Sequence, residues 1–465
     1  MSMGRAYFGR RKNGMEPLAG TAQFLEQVFN RYENLEIEQE GVFMGYFFSE
    51  PVERALKYIY YEMGSGRGQE GFRLLEQAVE EGDADACCLL ARCLLARCLY
   101  GPEYTWPGHH FPIDERRGDE LVRRSVLGGS AIGVLISMRC GVMDGSLKQS
   151  MPFGSLQEAF DVVLDKAERG EPFCQMLIGN VYFWGDFLDI QNKSQADFDG
   201  DDAFQSFLQE NVAKCEDWLW KAFRGGISTG GGNLAAFYRD GKQGLLLPRP
   251  EMEREVDRYG AEKGYPDFLC YYADDLYMEG QKAEAFELYR KSAQMGEPRS
   301  FFRAGYSYEL GEGVEQDYQR AADYYQRALD APIYGKVGSA NRLGSLYYEG
   351  QGVPQDYAKA YQLLKWAYDQ NPSNNWGAYY LGTCYTYGRG TQQDYVLARK
   401  FLEMVDWNSR TASYLLGYLY ARGLGGPEDI AKGVEYLQKA GDYAEAKEEL
   451  KHYKKTLFGG KWVRR

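Results

Sequence analysis

Histidine and cysteine, the residue types best suited to metal binding or nucleophilic chemistry, occur together in one stretch of the chain. This stretch contains Cys87, Cys88, Cys93, Cys98, His109 and His110. Structural zinc sites usually place paired ligands about two to four residues apart, whereas these cysteines are one or five residues apart. We therefore expect small thiols in a helical core. A metal at the His109–His110 loop is the open alternative.

A second candidate metal site is the acidic stretch at residues 197–202. Asp197, Asp199, Asp201 and Asp202 lie close together there, and clustered carboxylates can bind calcium. However, Gly200 does not occupy the position that an EF-hand loop requires, and no glutamate closes a loop of about twelve residues. A solvated loop is the expected structure, and calcium stays the alternative.

Sequence motifs for hydrolytic chemistry are few. The chain has no H-E-x-x-H zinc motif, and its one G-x-S-x-G match, at Gly226–Gly230, occurs in a chain with only three histidines. Acidic pairs are plentiful, but they carry little information in an acidic protein. We predict that the chain is not an enzyme and needs no cofactor.

The charge distribution argues against nucleic-acid binding. The formal net charge is −13, whereas a general nucleic-acid binder presents a basic face. Basic residues gather only at the two ends, at Arg5, Arg10, Arg11 and Lys12 and at Lys451, Lys454, Lys455, Lys461, Arg464 and Arg465. We expect both groups to lie in solvated termini.

Apolar runs and cysteine usage indicate a cytoplasmic protein. No apolar run approaches the ~18 residues of a membrane span, and no apolar segment follows the basic start as it would in a signal peptide. The nine cysteines form an odd set that cannot close into disulfides alone, so we expect reduced thiols.

The elements that position these residues are indicated by a repeated loop in the second half of the chain. The copies begin at Gly311, Gly350 and Gly388 and share the pattern G-x-G-x-x-Q-D-Y, and a decayed fourth copy begins at Gly423. Their starts are 35 to 39 residues apart. Such a period is typical of a solenoid.

Each loop follows the same helical pattern. Small or apolar residues recur at offsets of three and four, which place them on one helical face; the copies are Phe301, Ala304, Gly305 and Tyr308, then Ala340, Leu343, Gly344 and Tyr347, then Ala378, Leu381, Gly382 and Tyr385, then Ser413, Leu416, Gly417 and Tyr420. Glycine inside a helix costs about 1 kcal/mol relative to alanine. Its recurrence at one position predicts close approach of a neighbouring helix.

The loop residues have folding roles of their own. The first glycine can end a helix in the left-handed conformation, and the second permits a tight reversal. The aspartate can accept hydrogen bonds from the free N–H groups that begin the second helix. Val314 and Val353 can pack back against the helices. We therefore interpret Gly311–Gly313 and its copies as turns and not as phosphate-binding loops.

The pattern A-x-x-L-G-x-x-Y followed by G-x-G-V-x-Q-D-Y resembles the Sel1-like repeat family, which is related to the tetratricopeptide repeats. The resemblance is clearest over residues 296–445. It implies an all-α fold, a right-handed superhelical α-solenoid of antiparallel helix pairs, and a scaffold or adaptor function. A few members of the family have been proposed to be hydrolases of cell-wall or β-lactam substrates, but those are rich in paired cysteines, whereas the clear repeats here contain only Cys384.

The repeat pattern weakens towards the start of the chain. We predict a non-repeat helical cap over residues 1–68, with a helix at Ala22–Phe29, and divergent helix pairs with insertions over residues 69–295. Four clear repeats follow over residues 296–445, and a basic helix or tail over residues 446–465. Within the divergent part, Gly230–Gly232 is expected to be a turn between repeats.

A candidate binding surface comes from tyrosines and arginines that lie off the packing face of the first helices. These residues are Arg303, Tyr306, Arg342, Tyr379, Tyr380, Tyr414 and Tyr418. First helices line the concave face of tetratricopeptide-like solenoids, and tyrosine and arginine are enriched in binding surfaces. We expect a protein or peptide partner here. The alternatives are contacts between adjacent repeats, a hydrolase pocket, and self-association of a structural module.

Overall fold

The computed structural model describes residues 47–62, 66–95, 111–242, 245–331, 336–372, 376–405, 409–456 and 460–465. The predicted helix at Ala22–Phe29 and the His109–His110 loop lie outside these residues. The described chain forms two compact units, which divide after Gly230. We call them the N-terminal unit and the C-terminal unit.

The N-terminal unit is built from helices. They are α1 (Glu50–Leu56, continued by a π-helical turn at Lys57–Tyr61), α2 (Gly68–Glu80), α3 (Ala84–Leu94), α4 (Glu115–Leu127), α5 (Ala131–Arg139), α6 (Gly145–Ser150), α7 (Leu156–Glu168), α8 (Pro172–Trp184), α9 (Phe187–Ile190) and α10 (Asp201–Arg224), with a 3-10 turn at Gln195–Asp197. In this unit α8 packs along α10.

The C-terminal unit contains the regular pairs. After α11 (Ser228–Asp240), in which the division falls, come α12 (Pro250–Glu262), α13 (Pro266–Met278), α14 (Lys282–Gln294), α15 (Pro298–Leu310), α16 (Tyr318–Asp330), α17 (Lys336–Glu349), α18 (Tyr357–Gln370), α19 (Ala378–Tyr387), α20 (Tyr395–Glu403), α21 (Arg410–Ala421), α22 (Ile430–Lys439) and α23 (Ala444–Leu450), then strands β1 (Tyr453–Lys455) and β2 (Trp462–Arg464). From α13 to α22, each helix packs on the next one along the chain. The predicted all-α solenoid is confirmed.

The glycines inside the first helices lie at helix–helix contacts, as predicted. A Cβ added to Gly344 would meet the Leu364 side chain at 2.8 Å. The same substitution at Gly382 would meet Leu402 at 2.6 Å, and at Gly417 it would meet Leu437 at 2.7 Å. Gly305 faces Tyr325 in the same way. In each pair the second helix therefore packs directly against the bare backbone of the first.

The repeat loops also fold as predicted. Gly311, Gly350, Gly388 and Gly423 end the first helices with φ of 69°, 71°, 68° and 64°. Side chains of the loop aspartates accept hydrogen bonds from the N–H groups that begin the second helices; for example, Asp356 Oδ1 accepts from Lys359 N at 2.9 Å. Val314 and Val353 pack partly buried against the core.

Two features of the loops were not predicted. The second glycine reaches the preceding pair: a Cβ on Gly352 would overlap the backbone of Tyr318, where α16 begins. The loop glutamine closes the end of the first helix, because the Gln355 side-chain amide donates to the Tyr348 carbonyl oxygen at 2.9 Å. Each loop therefore connects its own helices and also contacts the previous pair.

The predicted turn at Gly230–Gly232 is wrong, because these residues lie inside α11. A Cβ on Gly230 would lie 3.4 Å from Ala222 on α10, so the small residue accommodates helix packing. The turn between the two helices falls earlier, at Gly225–Gly226, where Gly226 has a φ of 102°.

The C-terminal end of the array is covered by structure that the sequence did not indicate. Strands β1 and β2 pair antiparallel. Tyr453 and Trp462 pack with Val434 and Leu437 of α22, and Arg464 donates to the Ala421 carbonyl oxygen at 2.9 Å. The hairpin thus covers apolar surface that the last helix pair would otherwise expose.

The cysteines mostly follow the prediction. Seven described cysteines are buried free thiols, among them Cys87, Cys88 and Cys93, which fits the expected helical core. Cys140, in contrast, is disulfide-bonded, so the expectation that all nine are reduced is wrong for this residue. Within the described residues, none of the helices has the length and apolar character needed to cross a membrane.

Candidate functional site

The seven predicted site residues lie on first helices of the C-terminal unit, and all are half-buried. We call them the first-helix surface: Arg303 and Tyr306 on α15, Arg342 on α17, Tyr379 and Tyr380 on α19, and Tyr414 and Tyr418 on α21. Their positions relative to the helix glycines place them beside the packing face and not on it. Their environments divide them into two groups, arginines and tyrosines.

Arg303 contacts the preceding helix pair. Its Nε lies 2.9 Å from Asp274 of α13, and that carboxylate also accepts a hydrogen bond from the Tyr289 hydroxyl at 2.5 Å. Burial lowers the pKa of Arg303 to about 10, so the guanidinium is still charged at neutral pH. Arg303 therefore already has an anionic partner within the protein.

Arg342 links three successive first helices. Its Nη1 lies 2.9 Å from Glu309 of α15. Its guanidinium lies over the Tyr306 ring at 4.9 Å and over the Trp376 ring at 4.4 Å. These contacts neutralise the charge and hold aromatic rings on either side of it. The alternative that such residues contact adjacent repeats accounts for both arginines.

The tyrosines of α19 form a continuous aromatic group. The ring of Tyr380 lies 5.0 Å from Tyr379, 5.3 Å from Tyr348 and 6.0 Å from Trp376. These are favourable separations for aromatic pairs. Tyr387, at the end of the same helix, keeps 50% of its surface exposed, and Trp376 keeps 38%. The group is therefore packed on one side and open on the other.

A second aromatic group lies on α21. Tyr414 lies 6.3 Å from Tyr418 and 5.3 Å from Tyr443, measured between ring centroids. Arg422 lies over the Tyr418 ring at 4.4 Å and pairs with Glu449 at 2.9 Å. The structure thus brings Tyr306, Arg342, Tyr379 and Tyr380 into one connected set, through Trp376, and Tyr414 and Tyr418 into another, while Arg303 pairs with Asp274 of the preceding helix pair.

The surroundings of Tyr379, Tyr380 and Tyr414 raise the pKa of each hydroxyl and so favour its protonated form. Burial raises the pKa of Tyr379 to about 12. Burial also raises the pKa of Tyr380, and the nearby charge of Glu349 raises it further. The pKa of Tyr414 is raised by burial and by Glu449. Neutral hydroxyls can both donate and accept hydrogen bonds, so the surface offers polar contacts along with apolar ring area.

The sequence prediction missed Trp376 and Tyr387, the two most exposed aromatics of this region. Helical spacing could have found them, because Trp376 is four residues before Tyr380 and Tyr387 is seven after it, which places all three on one side of the helix. Tyr443 was also missed. It precedes α23, which lies outside the repeat pattern.

The other candidate sites give no chemistry in the described residues. Asp197 forms a capping box with Ser194, and Asp201 and Asp202 begin α10, where negative charge is favourable. All four aspartates are exposed and residues 198–200 lie outside the helices, in agreement with the expected solvated loop. In the described part of the chain, no group of three histidine, cysteine, aspartate or glutamate residues could hold a metal ion.

Comparison with known families identifies repeats in the C-terminal unit. A family model described as Sel1 repeat matches residues 266–297, 301–332, 337–372, 377–404 and 411–442. The four later matches correspond to the repeats read from the sequence, and the first corresponds to α13 and α14. No curated protein matches this chain.

Solved structures to which this chain is similar include a Sel1 repeat protein from Oxalobacter formigenes. The two are 20% identical, the match covers 89% of this chain and 97% of that chain, and the TM-score is 0.40. Another is c5321, a protective antigen of uropathogenic Escherichia coli displaying an SLR fold, with 18% identity, coverage of 81% and 89%, and a TM-score of 0.41. A third is YrrB, a TPR protein with an unusual peptide-binding site, with 21% identity, coverage of 43% and 99%, and a TM-score of 0.33.

Proposed function

We propose that this chain, which is a Sel1-like repeat protein with five repeats between residues 266 and 442, is a non-catalytic scaffold that binds a protein or peptide on its first-helix surface. Sel1-like and TPR-like repeats generally mediate protein interactions. For this chain we propose in addition that the first-helix surface is the binding surface and that the protein has no catalytic activity.

The observation that carries the proposal is the open aromatic group on α19. Interface hot spots are aromatic side chains held in place by packing on one side and available to a partner on the other. Tyr379 and Tyr380 are fixed by ring contacts, while Tyr387 and Trp376 retain half and more than a third of their surface. A rigid group of this kind loses little conformational entropy on binding.

The arginines of the surface have a supporting role in this proposal. Arg342 holds Trp376 and Tyr306 through its position between their rings. Its ion pair with Glu309 leaves it without a free charge for a partner. We therefore assign partner contact to Trp376 and Tyr387, together with the tyrosines Tyr379, Tyr380, Tyr414 and Tyr418, and positioning to Arg342.

The test is capture of partners from the native host with matched variants as bait. We expect Tyr387→Ala and Trp376→Ala, combined, to lose partners that the natural chain retains. The matched control is Trp366→Ala, because Trp366 is an aromatic of α18, a second helix, and is 39% exposed. Thermal melting of all baits checks folding. Equal recovery of every stoichiometric partner by the natural chain and the double variant would contradict the proposal.

A cytoplasmic location is also part of the proposal. Seven described cysteines are free thiols, as is usual for proteins of a reducing compartment, although the disulfide of Cys140 opposes this placement. Alkylation of thiols before cell lysis, followed by mass analysis of purified protein, measures whether Cys140 is oxidised in the cell. Fractionation of the same cells measures the location directly.

A further inference from the structure

We propose that the partner presents a basic segment, carrying lysine or arginine side chains, to the first-helix surface. This inference rests on the proposed function and adds the chemical class of the partner. It is carried by three features of the region from α17 to α23: Arg342, Arg389 and Arg422 already have partners within the chain, two carboxylates form no ion pair, and tyrosine rings lie beside those carboxylates.

Three arginines of this region are held by partners within the chain. Arg342 is paired with Glu309, and Arg422 is paired with Glu449. Arg389 donates to the Tyr348 hydroxyl at 2.6 Å and lies over the Tyr387 ring at 4.9 Å. An acidic partner would therefore have to displace existing contacts of each arginine, which costs free energy.

Two carboxylates of the same region have no such partner. Glu349 is the last residue of α17, and Glu445 lies in the first turn of α23; both are exposed. In the described chain, no lysine or arginine nitrogen comes within 4.0 Å of either side chain. Unpaired carboxylates at a binding surface favour a partner of opposite charge.

The two carboxylates lie beside the tyrosines of the surface. Glu349 directly follows Tyr348, whose ring lies 5.3 Å from that of Tyr380, and Glu445 is two residues after Tyr443, whose ring lies 5.3 Å from that of Tyr414. In keeping with these positions, the charge of Glu349 contributes to the raised pKa of Tyr380 and that of Glu445 to the raised pKa of Tyr414. A cation that reached either carboxylate would also lie close to aromatic rings. Ring faces attract cations, and the attraction adds to that of a carboxylate.

The protein itself shows that cations pack on tyrosines of these repeats. Arg422 lies over Tyr418 at 4.4 Å, and Lys432 lies over Tyr420 at 4.0 Å. Both cations also have a polar partner, Glu449 for Arg422 and the Tyr420 hydroxyl for Lys432. A lysine or arginine from another chain would make the same kind of contact at Tyr380 with Glu349. The net charge of −13 also favours its approach.

The experiment uses the full chain and three synthetic peptides of equal length. The peptides share tyrosines at fixed positions and differ only at the remaining polar positions, which are lysine, glutamine or glutamate. Affinities are measured by titration calorimetry at low and at physiological salt. We expect the lysine peptide to bind about tenfold more tightly than the glutamine peptide. The glutamate peptide should bind most weakly, and the preference should shrink as salt screens the charges.

The decisive variant is Glu349→Gln combined with Glu445→Gln. It should lose most of the preference for the lysine peptide and leave the affinity for the glutamine peptide unchanged. The matched control is Glu284→Gln combined with Glu315→Gln, which removes the same charge from exposed positions on α14 and on the loop before α16. This control should keep the preference. Loss of the preference in both double variants would assign it to net charge alone and overturn the inference.

The remaining outcomes separate this inference from the proposed function. If the three peptides bind equally, and Tyr387→Ala combined with Trp376→Ala weakens all of them, the basic class is wrong and the surface is still a binding surface. If the glutamate peptide binds best, the class is reversed and the inference is overturned. No measurable binding of the lysine peptide also overturns it, whereas the proposed function is decided by the capture experiment.

Discussion

The regular helix pairs and the pair α13–α14 differ in the residue that lies where the second helix approaches the first. In α15, α17, α19 and α21 a glycine lets the second helix approach the backbone. In α13 the corresponding position is Asp274, whose carboxylate accepts from Tyr289 of α14 and pairs with Arg303 of α15. The comparison shows that close approach requires either no side chain or one whose polar atoms are fully satisfied.

The pair α8–α10 in the N-terminal unit has the helix glycine of the regular pairs but lacks their short loop. It therefore distinguishes packing within a helix pair from contact between successive pairs. Gly179 of α8 faces Leu219 of α10, and an added Cβ would meet that side chain at 2.7 Å. This matches the regular helix glycines, although an insertion containing α9 replaces the short loop. Packing within a pair is therefore independent of the loop, whereas contact between successive pairs depends on the loop glycine.

The largest expected effect tests the contact between pairs. Gly352→Ala places a Cβ into the backbone of Tyr318 and holds a non-glycine residue at a φ of 69°. Because backbone cannot move aside cheaply, we expect the free energy of unfolding to fall by about 3–5 kcal/mol. Urea denaturation followed by circular dichroism measures it.

The control for this prediction is in the same loop. Gly350 has a similar φ of 71°, but a Cβ there would come no closer than 3.1 Å to Gln355 Cβ and 3.5 Å to the Gln355 backbone, so it overlaps no backbone atom. Gly350→Ala should cost about 1–2 kcal/mol, which is the cost of the left-handed conformation. Equal losses for the two variants would show that the contact with α16 contributes nothing beyond backbone conformation.

The second prediction concerns the charged pair α13–α14. Burial, and the nearby charge of Glu297, raise the pKa of Asp267 to about 7, above the unfolded value near 3.9. A folded-state pKa above the unfolded one means that stability is greatest below about pH 4 and is lost as the pH rises towards 7. Asp267→Asn removes this loss. The free energy of unfolding of this variant, measured relative to that of the natural chain, should rise by on the order of 2 kcal/mol between pH 4 and pH 8.

Urea denaturation of both chains across that pH range measures the difference, and subtraction removes contributions of other titrating groups. A matched control is Asp323→Asn, an exposed aspartate of α16. A constant difference between Asp267→Asn and the natural chain at all pH values would show that this carboxyl ionises normally in the folded protein.

The third prediction compares helix glycines in the two units. Gly344→Ala and Gly179→Ala each direct a Cβ at a leucine, at 2.8 Å and 2.7 Å. Overpacking lowers the free energy of unfolding by about 1–3 kcal/mol, whereas the higher helix propensity of alanine raises it by about 1 kcal/mol. We expect a net loss of roughly 1 kcal/mol for both, measured by thermal and urea unfolding. A loss at Gly344 alone would mean that the α8–α10 pair relaxes more easily.

The parts of this structure that could be predicted from the sequence are those that repeat. Gly344 and Asp356 recur at fixed offsets, so their roles as packing and capping residues follow from local geometry. The contact of Gly352 with Tyr318 could not be predicted, because it joins residues of two pairs. The packing of Gly230 on α10 was missed for the same reason, since consecutive glycines resemble a turn when the neighbouring helix is unknown.

The candidate surface was predictable by residue type but not by charge state. Tyr380 and Tyr414 were found from their helical offsets, whereas the pairing of Arg342 with Glu309 depends on how two helices stack. The exposed carboxylate of Glu349 carries no signal in a sequence with 67 acidic residues. A position on a helix face can be read from periodicity, but a free charge is known only after every neighbour is placed.

The smallest expected effect tests capping, the one loop function that acts within a single helix. Asp356→Ala removes the acceptor of the Lys359 N–H and leaves the glycine contacts in place. Loss of an N-cap costs about 1 kcal/mol, so this variant should unfold at slightly lower urea concentration with an unchanged slope. Asp356→Ser should restore most of the loss, because a hydroxyl oxygen also accepts this hydrogen bond. If serine gave no recovery, the carboxylate would be stabilising the loop through its charge, and the separation between capping and pair-to-pair contact drawn above would have to be revised.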